Sequence, residues 1–231
     1  MKERVIWGAV ALAIFIPFLV MGGLPFQFLV GLLAMIGVSE LLRMRRLEIF
    51  SFEGALAMIG AFVLTVPLDS YLSFLPVDAS LSAYGIVIFM ILAGTVLNSN
   101  SYSFEDAAFP IASSFYVGIG FQNLVSARMA GIDKVLLALF IVWATDIGAY
   151  MIGRQFGQRK LLPSVSPNKT IEGSLGGIAS AIVVAFFFML FDKTVYAPHS
   201  FLVMLVLVAI FSIFGQFGDL VAVSYTHLTL P

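Results

Sequence analysis

The sequence predicts an all-α, polytopic integral membrane protein of about eight transmembrane helices, with the N-terminus and C-terminus cytoplasmic. Composition, the spacing of apolar runs and the placement of basic residues carry this expectation. Hydrophobic residues make up 61% of the chain and charged residues 11%, with a mean hydropathy of +1.05. A soluble domain holds about 25% charged residues because its surface faces water. A chain this apolar needs lipid as its solvent. A net charge of −1 and the lack of a basic tail argue against a nucleic-acid partner. With no cysteine present, disulfides and thiolate metal sites are excluded.

A hydrocarbon core about 30 Å thick takes roughly 20 residues of helix. Apolar runs of that order lie at 5–22, 24–42, 54–68, 81–97, 107–125, 132–152, 174–191 and 201–221. The first follows Met1-Lys2-Glu3-Arg4 and has no small-x-small cleavage site before the second run. It therefore reads as a membrane helix rather than a signal peptide. The third is short and is expected to tilt little or to be partly re-entrant. Backbone groups find no water in hydrocarbon, so the runs should be helices. They are too long and too weakly alternating for a transmembrane barrel.

Orientation follows from Lys and Arg placement. With the N-terminus inside, nine basic residues fall on the cytoplasmic side, including Arg43, Arg45, Arg46, Arg154, Arg159, Lys160 and Lys169. Three fall opposite: Arg128, Lys134 and Lys193. The arginines at 43–46 are topology determinants that can also attract anionic headgroups. The chain is expected to divide into N-terminal membrane helices (1–125) and a second membrane region (126–221) with a cytoplasmic loop at 153–173. The segment 222–231 reads as a tail of non-native character, and no chemistry is placed on it.

The informative residues are the polar ones inside or beside apolar runs. Asp146 lies within the sixth run, toward its cytoplasmic end. A carboxylate there costs about 2.5–3.5 kcal/mol on insertion scales, so it should face protein or a water-filled cavity. It reads as a metal or proton site, with a structural carboxylate paired to a neighbouring helix as the alternative. The 153–173 loop opens with Gly153-Arg154 and closes with Ser166-Pro167-Asn168-Lys169-Thr170-Ile171-Glu172-Gly173-Ser174. Ser166 or Asn168 is expected to cap the seventh helix, whose first backbone N–H groups would face an anion. Lys169 supplies a point charge for phosphate, and Thr170 and Ser174 supply hydroxyl donors. Glu172 is placed to hold a metal or a basic partner. Asp219, at the cytoplasmic end of the eighth run, brings a second carboxylate to the membrane level of Asp146. Mg²⁺ takes few carboxylates, several waters and phosphate oxygens, so two acids beside a basic loop fit nucleotide chemistry.

The run Trp143-x-x-Asp146-x-Gly148-Ala149-Tyr150-x-x-Gly153-Arg154-x-Phe156-Gly157-x-Arg159-Lys160-Leu161, the Ser-Pro-Asn-Lys-Thr-x-Glu-Gly-Ser stretch from Ser166 to Ser174 with Gly176-Gly177 after it, and Phe214-Gly215-Gln216-Phe217-Gly218-Asp219-Leu220 together resemble bacterial phosphatidate cytidylyltransferases, the CDP-diglyceride synthases. The strong match covers about residues 143–221. The resemblance implies condensation of CTP with phosphatidate to CDP-diacylglycerol and pyrophosphate, with Mg²⁺ required, in the inner membrane of a bacterium. It implies Asp146 and Asp219 as metal ligands and Asp146, Lys169 and Glu172 as the catalytic set, Glu172 orienting Lys169 or metal-bound water. Substrate contacts would come from Arg159, Lys160, Ser166, Asn168, Thr170 and Ser174. CTP and the membrane lipid are the implied partners, and a homodimer is left open. The family continues from Gly-Asp-Leu into Glu-Ser-x-x-Lys-Arg and further acidic segments, whereas position 222 is Ala and that element is absent. On that departure the chain as written is expected to be inactive or nearly so. An ion-coupled transporter using Asp146 is the competing expectation, weakened by polar residues that gather at one membrane face rather than at the midplane.

Overall fold

The computed structural model describes residues 2–71, 74, 76, 79–97 and 102–229. Among them run eight α-helices: α1 (Lys2–Met21), α2 (Gly23–Met44), α3 (Phe52–Thr65), α4 (Ala79–Leu97), α5 (Phe104–Ala130), α6 (Ile132–Phe156), α7 (Ile171–Phe191) and α8 (Phe201–Thr229). A hairpin of β1 (Lys160–Leu162) and β2 (Ser166–Thr170) lies between α6 and α7. The protein is thus an all-α membrane protein with one small hairpin. Helices α2, α4, α6, α7 and residues 201–224 of α8 are long and apolar enough to cross a bilayer. The expected short third span is α3, at 14 residues. Helix α5 falls outside the five because it carries Ser113, Ser114, Gln122 and Asn123. Part of that polarity points inward, since Ser113 and Ser114 are buried. At the N-terminus of α5, Ser103 and Asp106 form a reciprocal capping box. Helix α8 continues past 221 through the segment expected to be a tail.

The chain forms two units, Met1–Ile132 and Asp133–Pro231. In the first, α2, α3 and α5 close on a core of Ala34, Val38, Leu42, Ala57 and Ala61. Such small residues let helices approach closely where lipid offers no hydrophobic drive for packing. Tyr84 of α4 lies buried with its hydroxyl 2.9 Å from Ser114 Oγ and donating to the Ile111 carbonyl at 3.0 Å. Helix α1 turns into α2 through Gly22 and Gly23, at φ 64° and 55°, a region glycine enters without strain. Arg128 donates to the Leu19 and Val20 carbonyls at 2.7 and 3.0 Å, satisfying acceptors that the end of α1 leaves open.

In the second unit α6, α7 and α8 pack around Leu137, Ala181, Ala185, Met189, Val195 and Val208. The α6–α7 crossing is close enough that a β-carbon on Gly177 would stand 2.7 Å from the Thr145 carbonyl oxygen. Helix α8 is tied in by two polar contacts: the Thr145 and Ser212 hydroxyls 2.9 Å apart, and Gln216 Nε2 donating to the Ser174 carbonyl at 3.2 Å.

Candidate active site

Position 153–173 was expected to be a loop, and the structure corrects this. Helix α6 runs on to Phe156, and the chain returns as an antiparallel hairpin pairing Lys160 with Thr170 and Leu162 with Ser166. The cap of α7 is Thr170, whose Oγ1 accepts from Gly173 N at 3.1 Å. Ser166 and Asn168, the expected caps, lie earlier in β2. The reason is geometric: the hairpin keeps the chain extended to Thr170, so the first hydroxyl preceding the helical turn takes the cap.

This arrangement sets Lys169 one residue before the Thr170 cap of α7 and turns its ammonium onto the Asp219 carboxylate, with which it forms an ion pair. Asp146 projects from α6 into the same space, where it feels the charges of both Asp219 and Lys169. These side chains line a polar cavity of about 510 Å³ together with Arg154, Asn168, Thr170, Ser174 and Gln216. A second cavity of about 540 Å³ lies between α6 and α8, is walled mainly by apolar side chains, and shares Asp146 and Asp219 with the first.

Six of the residues singled out in the sequence are therefore brought together: Asp146, Asn168, Lys169, Thr170, Ser174 and Asp219. Arg159, Lys160, Ser166 and Glu172 do not line the cavity. Glu172 has a different partner from the one expected. Its carboxylate accepts from Gln158 N at 3.1 Å and Arg159 N at 3.2 Å, clamping the start of the hairpin to the first turn of α7. Arg159 closes the same junction through its carbonyl, which accepts from Ile171 N at 2.9 Å. Arg154 and Gln216 line the cavity and were not in the expected set. Their spacing was a usable signal, since Gln216 stands one turn before Asp219, and Tyr150 and Arg154 follow Asp146 at helical intervals.

Two carboxylates, two cations and a hydroxyl-rich wall in one cavity can bind a polyanion. The cations meet phosphate oxygens directly, and the carboxylates reach them through a shared divalent ion. The donor set suits Mg²⁺. Among the described residues no trio of Asp, Glu, His or Cys comes together, and Mg²⁺ is held by one or two carboxylates, with waters and substrate phosphates completing its shell. Lys169 engages one oxygen of Asp219 and leaves the other for such an ion.

A family model described as the cytidylyltransferase family matches residues 2–225. The phosphatidate cytidylyltransferase of Staphylococcus saprophyticus is 39% identical over 223 residues, covering 96% of this chain and 83% of that protein. That of Staphylococcus haemolyticus is 38% identical over 226 residues. The Staphylococcus aureus protein of the same name is 36% identical over 226 residues, again with 96% and 83% coverage.

Proposed function

The chain belongs to the cytidylyltransferase family, and on that premise we propose that its polar cavity is where a cytidylyl group passes from CTP to phosphatidate in a bacterial cell membrane. The single observation that carries the reading is the meeting of Asp146, Asp219, Lys169 and Arg154 in one cavity, beside helices long and apolar enough to lie in lipid. CTP and phosphatidate are both polyanions, one arriving from water and the other from the bilayer. A site for both needs cations, a means of tolerating carboxylates and access to each phase.

In the reaction an oxygen of the lipid phosphate attacks the α-phosphorus of CTP. The new P–O bond forms as the bond to the β-phosphate breaks, and pyrophosphate leaves with the electron pair. Such transfers are accelerated mainly by positioning and by charge stabilisation. Lys169 neutralises charge on a phosphate, and its ion pair with Asp219 holds the ammonium at the cavity when no anion is present. Arg154 offers a second, forked donor. Asn168, Thr170 and Ser174 contribute hydrogen-bonding groups along the wall. Asp146 and Asp219 would hold Mg²⁺, which supplies charge neutralisation at the phosphates when bound. Glu172 acts at one remove, fixing through Gln158 and Arg159 the hairpin that carries Asn168 and Lys169.

The test is equilibrium binding of labelled CTP to the purified chain in phosphatidylcholine nanodiscs, with and without Mg²⁺. Saturable, Mg²⁺-dependent binding that Asp146→Asn and Lys169→Ala each weaken at least tenfold supports the reading. Binding indifferent to both substitutions, or no binding of CTP, overturns it.

A further inference from the structure

The apolar cavity between α6 and α8 adjoins the polar cavity and shares Asp146 and Asp219 with it. It runs from Lys134, in the first turn of α6, to Asp146 and Asp219, with Leu137, Ala138, Ile141, Val142, Met204 and Phe211 along its sides. Lys134 and Asp146 are twelve residues apart on one helix, so the slot is about 18 Å long at 1.5 Å per residue. That exceeds by little the roughly 15 Å that one leaflet contributes to a 30 Å hydrocarbon core. Its volume, about 540 Å³, lies within the range of small-ligand sites.

Between its charged residues the wall offers little to water. Thr145 donates to the Ile141 carbonyl at 2.8 Å, and its Oγ1 lies 2.9 Å from Ser212 Oγ. The two buried hydroxyls that would otherwise offer hydrogen bonds to water thus satisfy each other. Along the stretch between Lys134 and the carboxylates, an apolar wall without free polar groups favours hydrocarbon over water.

We propose that this slot receives one acyl chain of the phosphatidate whose phosphate is held beside Lys169 and Arg154 in the adjoining polar cavity. The inference rests on the reading of the polar cavity as the cytidylyl-transfer site. Its occupant follows from continuity: of the three charged side chains on the slot, Lys134, Asp146 and Asp219, the two carboxylates also belong to the polar cavity. An amphiphile with an anionic head at the cations of the polar cavity and a chain of leaflet length in the slot fills both spaces. Leaving lipid for an apolar slot gains little free energy, because the tails are as apolar as the wall. The slot therefore acts by registration. A chain seated in it fixes the depth and rotation of the phosphate relative to Lys169, and one barred from it leaves the phosphate free to wander.

Position along α6 then translates into chain length. Ala138 stands eight residues from Asp146, about 12 Å, the reach of about nine methylenes at ~1.3 Å each. Val142 stands four residues away, about 6 Å. Ala138→Trp should block carbons beyond about the ninth, and Val142→Trp those from about the fifth onward.

The experiment is photolabelling of the full 231-residue chain in phosphatidylcholine nanodiscs, using phosphatidates that carry a diazirine at carbon 5 or carbon 14 of one chain. Labelled CTP binding is measured on the same samples. The carbon-14 probe should label the 134–142 and 204–211 segments in the parent, and Ala138→Trp should cut that labelling at least fivefold while sparing the carbon-5 probe. Val142→Trp should reduce both. Ala138→Leu, a milder helix-compatible change, should give a partial loss. CTP affinity within twofold of the parent reports an intact fold in every variant. Labelling spread evenly over lipid-facing residues, or unaffected by either tryptophan, overturns the slot assignment. Failure of the parent to bind CTP overturns the transferase reading instead, so the two failures are distinct.

Discussion

Adding one methyl group at two glycines of the second unit should move stability in opposite directions. At Gly177 an added β-carbon would lie 2.7 Å from the Thr145 carbonyl oxygen, 3.2 Å from Ala149 Cβ and 3.4 Å from Gln216 Nε2. A carbon–oxygen contact normally relaxes to about 3.3 Å or more, so α6 and α7 must part by about 0.6 Å. Both nearest obstacles belong to a helix rather than to a flexible side-chain tip, so the strain is not easily shed. Overpacking of this kind costs about 1–3 kcal/mol, and alanine's better helix propensity returns about 1 kcal/mol. Gly177→Ala should therefore lose up to about 2 kcal/mol net. At Gly215 an added β-carbon meets nothing within 4 Å, so Gly215→Ala should gain up to about 1 kcal/mol. Unfolding in mixed dodecylmaltoside–SDS micelles, followed by helical circular dichroism, measures both. The separation also shifts Asp146 against Ser174 and Lys169, so CTP affinity should fall for Gly177→Ala and stay near parent for Gly215→Ala. A Gly177→Ala protein as stable as the parent, or equal shifts at the two positions, refutes close α6–α7 packing as the frame of the site.

Three further outcomes follow from the same geometry. Lys169→Ala removes a charge-assisted contact worth about 1.5–3 kcal/mol, so the Kd for Mg²⁺–CTP should rise about 10- to 100-fold, with Lys169→Arg recovering part of it; calorimetric titration decides, and an unchanged Kd rejects Lys169 as a phosphate contact. Glu172→Gln should loosen the hairpin junction, read as several-fold faster tryptic cleavage after Arg159 and Lys160 while CTP affinity falls less than in Lys169→Ala; equal cleavage rates would show that the Glu172 contacts to Gln158 and Arg159 do not hold the hairpin. Burial, with the carboxylates of Glu53 and Asp106 adding, pushes the Tyr102 phenol up to about 12. The folded state therefore keeps its proton where an unfolded tyrosine loses it, and this contribution to stability is complete below about pH 10 and lost as pH rises toward about 12. Tyr102 Oη is buried without a hydrogen-bond partner among the described residues, so Tyr102→Phe should cost nothing at neutral pH and flatten alkaline unfolding above about pH 10.

What the sequence made legible was set by cost. Asp146, Lys169 and Asp219 stood out because a charge in or beside an apolar run is expensive enough to require a reason, and the structure brings all three to one cavity. The helices were legible for the same reason, since a backbone in lipid has few ways to satisfy itself. The hairpin was not. β1 and β2 are three and five residues long, too short for a periodic signal, and their pairing depends on Glu172 binding amides fourteen and thirteen residues upstream. Without that fold-back, Ser166 and Asn168 looked like caps and Glu172 looked like a partner for Lys169. The apolar slot was the least visible feature. Ala138, Val142 and Met204 are the residues any lipid-facing helix surface would show, and nothing in their order distinguishes a wall from an outside. What separates them is the pairing of Thr145 with Ser212 across α6 and α8. Two polar residues sixty-seven apart hide their hydroxyls in each other, and the space beside them is left fit for hydrocarbon up to the carboxylates. A site that joins water-borne and bilayer-borne anions needs such a border, and here it falls between Thr145 and Asp146, adjacent residues on one helix.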